Sequence, residues 1–150
     1  MNKFKKYLAE NNIPSEYLTF EQSCHSVAEA AQTANTSADN FVKNICFIDS
    51  DDNLIVAIVK GEDKVSVAKV AEILNIKKPR PATPAEILEK TGYPCGGTPS
   101  FGYPATFLVD TRVMEKETIF TGGGTENSLL KITATELLKA NGGKVVNIKK

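Results

Sequence analysis

The sequence predicts an α/β (α+β) fold in a single domain, with helices packed around a mixed, curved, barrel-like β-sheet. Three observations predict it. A chain of 150 residues can bury one core of its own. Helical and strand periods alternate along it with no internal repeat, low-complexity tract or linker. Glycine- and proline-dense stretches then interrupt the strand-like runs. Lys plus Arg number 18 and Asp plus Glu number 18, so the formal net charge is zero and no global field draws the chain onto nucleic acid or an anionic membrane. Any RNA contact must be local. The cysteines Cys24, Cys46 and Cys95 are odd in number and lack metal-ligand spacing, which suits reduced thiols in a cytoplasmic protein without a metal. No apolar run approaches a membrane span, so no membrane partner is expected.

The elements follow in order. Phe4, Tyr7 and Leu8 recur at helical spacing from Lys3 to about Asn12, and Pro14 closes that helix. An extended stretch surrounds Leu18 to Phe20. Ser26 stands three residues before Glu29, a capping-box spacing that starts a helix through Val27, Ala30 and Ala31. A second helix is expected from near Ser37 into Lys43. Ile45–Ile48 and Leu54–Val59, separated by the polar cluster Asp49–Asn53, read as a buried antiparallel hairpin. Val67, Val70, Ile73 and Leu74 mark a further helix, which cannot extend into the proline-rich Lys77–Pro81. Thr83-Pro84-Ala85-Glu86 is a capping box with proline at the first helical position, and Gly92 ends its helix. Four glycines and three prolines lie between Gly92 and Pro104, a density that blocks regular structure. Strands follow at Ala105–Val109, Thr118–Thr121 and Leu129–Ile132, the last two joined through Gly122-Gly123-Gly124. Thr133 caps a final helix that stops at Asn141-Gly142-Gly143, before a short strand at Val145–Ile148.

The loop Gly96-Gly97-Thr98-Pro99-Ser100-Phe101-Gly102 follows a helix and precedes a strand, the reverse of a dinucleotide or P-loop site. It reads either as a shaped connection or as a place where a substrate approaches the backbone and N–H groups receive a developing oxyanion. Lys43, before the Ile45 strand, is either a solvated lysine or a cation held at a strand mouth. His25 is the one histidine. Its neighbour Cys24 points to the opposite face of an extended segment, which argues against a thiol-imidazole pair. A Ser100, His25, Asp110 triad lacks the G-x-S-x-G elbow. Asp110 emerges at a strand end, where turn aspartates and functional carboxylates both occur. The lysine-rich stretches Lys3–Lys6, Lys77–Arg80 and Lys144–Lys150 read as solvated faces before RNA patches.

Taken together, His25-Ser26-Val27-Ala28-Glu29-Ala30-Ala31, Phe41-Val42-Lys43-Asn44-Ile45, the loop from Thr91 to Gly102, the strand ending at Asp110, and Gly122-Gly123-Gly124 through Leu130 resemble, in order and spacing, the YbaK-like editing domains. That family includes the editing insertion of bacterial prolyl-tRNA synthetases and freestanding aminoacyl-tRNA deacylases. The resemblance implies the barrel-like fold and an aminoacyl-tRNA hydrolase acting in trans without a cofactor. Its substrate is the acceptor end of a mischarged tRNA, bearing alanine or cysteine on tRNA for proline or another small amino acid, and an aminoacyl-tRNA synthetase is a candidate partner. It implies that Lys43 is the functional lysine, that Gly96 and Gly97 present N–H groups to the ester oxygen, and that Asp110 positions the substrate. His25, Phe41, Thr98, Ser100, Phe101 and Gly122 are then the expected substrate-binding positions. An aminoacyl ester is already activated, so such an enzyme needs water and oxyanion stabilisation in place of a side-chain nucleophile. The chain departs from the family's G-x-x-x-P loop at Ser100, with Pro99 one position early, and carries Tyr103 where many relatives have histidine. A noncatalytic tRNA- or synthetase-binding module, and a thiol hydrolase using Cys24 or Cys95, are the competing expectations.

Overall fold

In the computed structural model, which describes residues 2–21, 31 and 37–150, local chemistry sets most element boundaries. Asn2 caps α1 (Lys3–Glu10) by accepting from the Lys5 N–H, and β1 (Glu16–Thr19) follows. β2 (Val42–Ile48) and β3 (Leu54–Lys60) form the expected antiparallel hairpin. Its turn is built by Asp49, whose Oδ1 accepts from the N–H groups of Asp51 and Asn53 at 2.9 and 2.8 Å. After α2 (Val67–Leu74) and the two-residue β4 (Arg80–Pro81), α3 (Pro84–Thr91) starts on the full Thr83–Glu86 capping box and ends at Gly92. Then come β5 (Thr106–Asp110), β6 (Thr118–Gly122), β7 (Ser128–Thr133), α4 (Ala134–Asn141) and β8 (Lys144–Val146).

The strands make two sheets, ordered β1-β7-β6 and β4-β2-β3-β5-β8. The β3–β5 and β5–β8 pairs are parallel and the remaining pairs antiparallel, so the larger sheet is mixed. A bridge between Phe41 and Phe120 joins the sheets where β2 enters. The main core draws Val42, Cys46, Val56, Ile58 and Val109 from one sheet and Ile119, Leu130 and Ile132 from the other, closed by Phe4, Ile87 and Leu137 of the helices. On the opposite face of the larger sheet Phe47, Ile55, Ala57, Val59 and Leu108 pack with α2. No helix among the described residues is long and apolar enough to cross a membrane.

One expectation needs correction and another is untouched. The helix expected from Ser37 into Lys43 is only a 3₁₀ turn, Ala38–Asn40, capped by Ser37. Pairing ends it: the Phe41 carbonyl accepts from the Gly61 N–H at 2.8 Å, and Val42 onward is in register with Lys60 and its predecessors. A strand partner satisfies those backbone groups and buries Phe41 and Val42, which outweighs local helix preference. Lys43 is therefore a strand residue. The helix expected from Ser26 lies outside the described residues.

Candidate active site

The glycine-rich segment contains one short 3₁₀ turn, Cys95–Gly97, and otherwise runs irregularly over the space between the two sheets. It lies backbone to backbone against the Gly122–Thr125 loop. The Gly97 carbonyl accepts from the Gly124 N–H at 2.8 Å. A Cβ on Gly97 would collide with the Thr125 backbone, and one on Gly122 with the Thr98 carbonyl. Both glycines are required by this close approach.

Four consecutive carbonyls of the loop are each held from a different place. Gly97 accepts from Gly124, Thr98 from Asn44 Nδ2 at 2.9 Å, Pro99 from the Tyr103 hydroxyl at 2.6 Å, and Ser100 from Asn141 Nδ2 at 3.2 Å. The C=O and N–H of a trans peptide point opposite ways, so fixing these carbonyls also fixes the Thr98, Ser100 and Phe101 N–H directions. The Gly97 N–H is spent on the Pro94 carbonyl at 3.0 Å, which corrects its expected role as an oxyanion donor. The Gly96 and Thr98 N–H groups donate to no acceptor among the described residues.

Beneath the loop, Ser100 Oγ lies 2.7 Å from Asn44 Oδ1 and 2.7 Å from Thr121 Oγ1, and Asn44 Nδ2 lies 3.1 Å from Thr121 Oγ1. Ser100 and Thr121 are fully buried. Strand alternation separates this cluster from Lys43. Asn44 shares a face with the core residues Val42 and Cys46, whereas Lys43, paired with Val59, shares the opposite face with Phe41 and Ile45. Phe41 stacks on Phe120 there, with centroids 5.0 Å apart, in a patch with Leu129. Lys43 is half-buried, and its side chain makes no hydrogen bond or ion pair among the described residues. Other cations nearby are committed: Lys60 pairs with Asp39 and Glu62 at 2.6 and 3.1 Å, and Arg112 grips Asp63 at 2.6 and 2.8 Å. Asp39, held by Lys116 and Lys60, has its carboxyl well below the usual range.

Several expected site residues do structural work. Asp110 does not emerge at the strand mouth but is fully buried, its Oδ1 accepting from the N–H groups of Ile148 and Lys149 at 2.9 and 3.0 Å and its Oδ2 from that of Arg112 at 3.1 Å. It anchors the C-terminal tail. Phe101 packs against Phe4 and Tyr7 in the core, so its ring faces no ligand. The Thr98 hydroxyl is taken by the Pro94 carbonyl at 2.9 Å, and that of Ser100 by the buried cluster. Gly122 sits at the loop-to-loop contact, and His25 lies outside the described residues. Cys46 is buried, which pushes its thiol up to about 12, while Cys95 is exposed. No group of three or more His, Cys, Asp or Glu among the described residues could hold a metal ion. Sequence reasoning missed Asn44, Thr121 and Asn141 as loop holders. The available signals were a polar residue inside an apolar strand, next to Lys43, and a threonine just before the glycine triplet.

Comparison with known proteins identifies the family and the fold. The model of the aminoacyl-tRNA editing domain matches residues 21–140, and the chain belongs to that family. It is 28% identical over 148 residues to the uncharacterized protein YwhH of Bacillus subtilis (strain 168), covering 97% of this chain and 93% of that one. The hypothetical protein APE2540 superposes with a TM-score of 0.90 at 26% identity, over 99% of this chain and 100% of that one. A crystal structure described as "a putative trans-editing enzyme for prolyl tRNA synthetase" superposes at 0.87 over 100% and 99% of the two chains; at 23% identity, that likeness establishes the fold.

Proposed function

We propose that this chain is a cytoplasmic deacylase that hydrolyses, in trans, the ester of tRNA charged with a wrong small amino acid. Alanine or cysteine on tRNA for proline are the first substrates to test, a choice supported by the fold shared with the structure described as "a putative trans-editing enzyme for prolyl tRNA synthetase". The observation that carries the reading is the pinned loop: the four carbonyls from Gly97 to Ser100 are occupied, which fixes the direction of the Thr98 N–H, and neither that group nor the Gly96 N–H beside it has an acceptor among the described residues. Donors fixed before the substrate arrives need no reorganisation as charge develops on the ester oxygen, and one such donor contributes about 3–4 kcal/mol in the transition state.

Lys43 supplies the mobile positive charge, binding the terminal phosphate or polarising the carbonyl from the Phe41 side of β2. Water is the nucleophile, and the ribose hydroxyl beside the ester orients it. Editing of this kind is needed because one methylene changes binding by only about 1–3 kcal/mol, so a synthetase mischarges near-isosteres. A synthetase partner would lend the tRNA discrimination that a chain of zero net charge lacks.

A panel of misacylated tRNAs, with Ala-tRNA and Cys-tRNA for proline first, tests the reading. Turnover by the natural chain, reduced about a hundredfold in kcat/KM by Lys43→Ala, is the expected result. No turnover on any member, with tRNA binding retained, would replace the enzyme with a noncatalytic binding module.

A further inference from the structure

We propose that Asn44, Ser100 and Thr121 close a one-way hydrogen-bond ring whose single output positions the glycine loop, making Thr121 and Ser100 positioning residues for the deacylation proposed above, on which this inference rests. Proton counting gives the direction. The two hydroxyls carry one proton each and the amide two, while the amide oxygen can only accept. The 2.7 Å contact between Ser100 Oγ and Asn44 Oδ1 must therefore use the Ser100 proton. The 2.7 Å contact between Ser100 and Thr121 then has only the Thr121 proton left to it, so Thr121 donates to Ser100. Thr121 Oγ1 in turn accepts one Asn44 Nδ2 proton at 3.1 Å. The ring closes with each proton donated once.

One donor remains, the second Asn44 Nδ2 proton, and it goes to the Thr98 carbonyl at 2.9 Å. Turned over, the amide could still close the ring with both hydroxyls reversed, but its oxygen would face the Thr98 carbonyl with no proton between them. The Thr98 carbonyl thus fixes which way the amide faces, and with it the direction of the ring. Ser100 is 0% and Thr121 1% exposed, so water cannot readily replace a missing member. The ring ties β2, the first glycine loop and β6 together at the residue next to Gly122, which touches Thr98 from the other side. Its target, Thr98, carries one of the loop N–H groups that have no acceptor among the described residues.

Thr121→Val keeps the side-chain shape and removes both the donor to Ser100 and the acceptor for Asn44. Ser100→Ala opens the ring at its other hydroxyl. Three quantities are read for each variant and for Thr121→Ser: kcat and KM on a misacylated tRNA that the natural chain turns over, the urea midpoint, and exchange of the Asn44 side-chain amide protons by NMR. Thr121→Val and Ser100→Ala are expected to lower kcat about tenfold with KM within twofold and to speed Asn44 amide exchange about tenfold. Thr121→Ser, which keeps the hydroxyl, is expected to recover most of the turnover and the slow exchange. A folded Thr121→Val or Ser100→Ala protein with undiminished kcat overturns the positioning role, and unchanged Asn44 exchange in either overturns the ring. Should the natural chain deacylate nothing on the panel, the enzymatic reading and the positioning role fall together, and the exchange measurement alone decides whether the ring exists.

Discussion

Asn44 and Ser100 are 56 residues apart in the chain and 2.7 Å apart in space, the amide oxygen of one accepting the hydroxyl of the other. That contact binds the first strand of the larger sheet to a loop that regular structure cannot hold. It also divides labour on β2, because Asn44 faces inward to the scaffold while Lys43 faces the other way.

Glycines of the two loops are expected to differ in cost from a helix-ending glycine. Gly97→Ala and Gly122→Ala force a Cβ into the backbone of the facing loop, so each should lower unfolding stability by about 3 kcal/mol or leave a displaced loop without turnover. Gly142 has φ +62° but open space around it, so Gly142→Ala should cost only about 1–2 kcal/mol, with turnover retained. Urea titrations of the three variants beside their deacylation rates check both statements.

Removal of the Asp110 carboxylate strands three backbone N–H groups and frees the tail. Asp110→Ala is expected to lose about 3 kcal/mol of stability and to speed amide exchange at Ile148 and Lys149. Turnover per folded molecule should stay within about twofold. A large fall in kcat in a folded variant would return Asp110 to the chemistry.

Acid should reach the start of α3 first through Glu86. Arg80 holds Glu86 at 2.7 and 2.8 Å, and with the Thr83 N–H it brings the carboxyl down to about 2. A carboxyl depressed in the folded state stabilises above its unfolded value of about 4.3 and loses that contribution as pH falls toward the folded value. Stability of the natural chain should therefore decline between about pH 4.5 and 2. Glu86→Gln should flatten that limb, as read from urea midpoints across the range.

The thiols should be dispensable. Cys46 is buried with its thiol pushed up to about 12, so it stays protonated and unreactive at neutral pH. Cys24→Ser with Cys95→Ser should preserve deacylation in full; loss of turnover in that folded double variant would revive a thiol mechanism.

What the sequence reveals here follows the range of the interactions. The Thr83–Glu86 capping box, the Asp49 turn and the ending of α4 at Gly142 are legible because every partner lies within a few residues. The glycine loop is legible as unusual, and Lys43 as a candidate beside it. The buried ring is not, since its members stand 56, 77 and 21 positions apart and only the closing of two sheets brings them together. The missed 3₁₀ turn after Ser37 has the same origin, a strand partner supplied from Gly61 and Lys60. Asp110 shows the converse: its place at a strand end is visible in sequence, but the tail that returns to claim it is not.

The alternation along β2 makes the length of the Asp49–Asn53 turn a functional parameter. Slipping that strand by one residue against β3 would exchange its two faces, turning the ammonium into the core and the amide outward, so scaffold and chemistry would fail in a single step. Insertions or deletions that shift this pairing would therefore cost the fold and, on the role proposed for Lys43, the reaction as well.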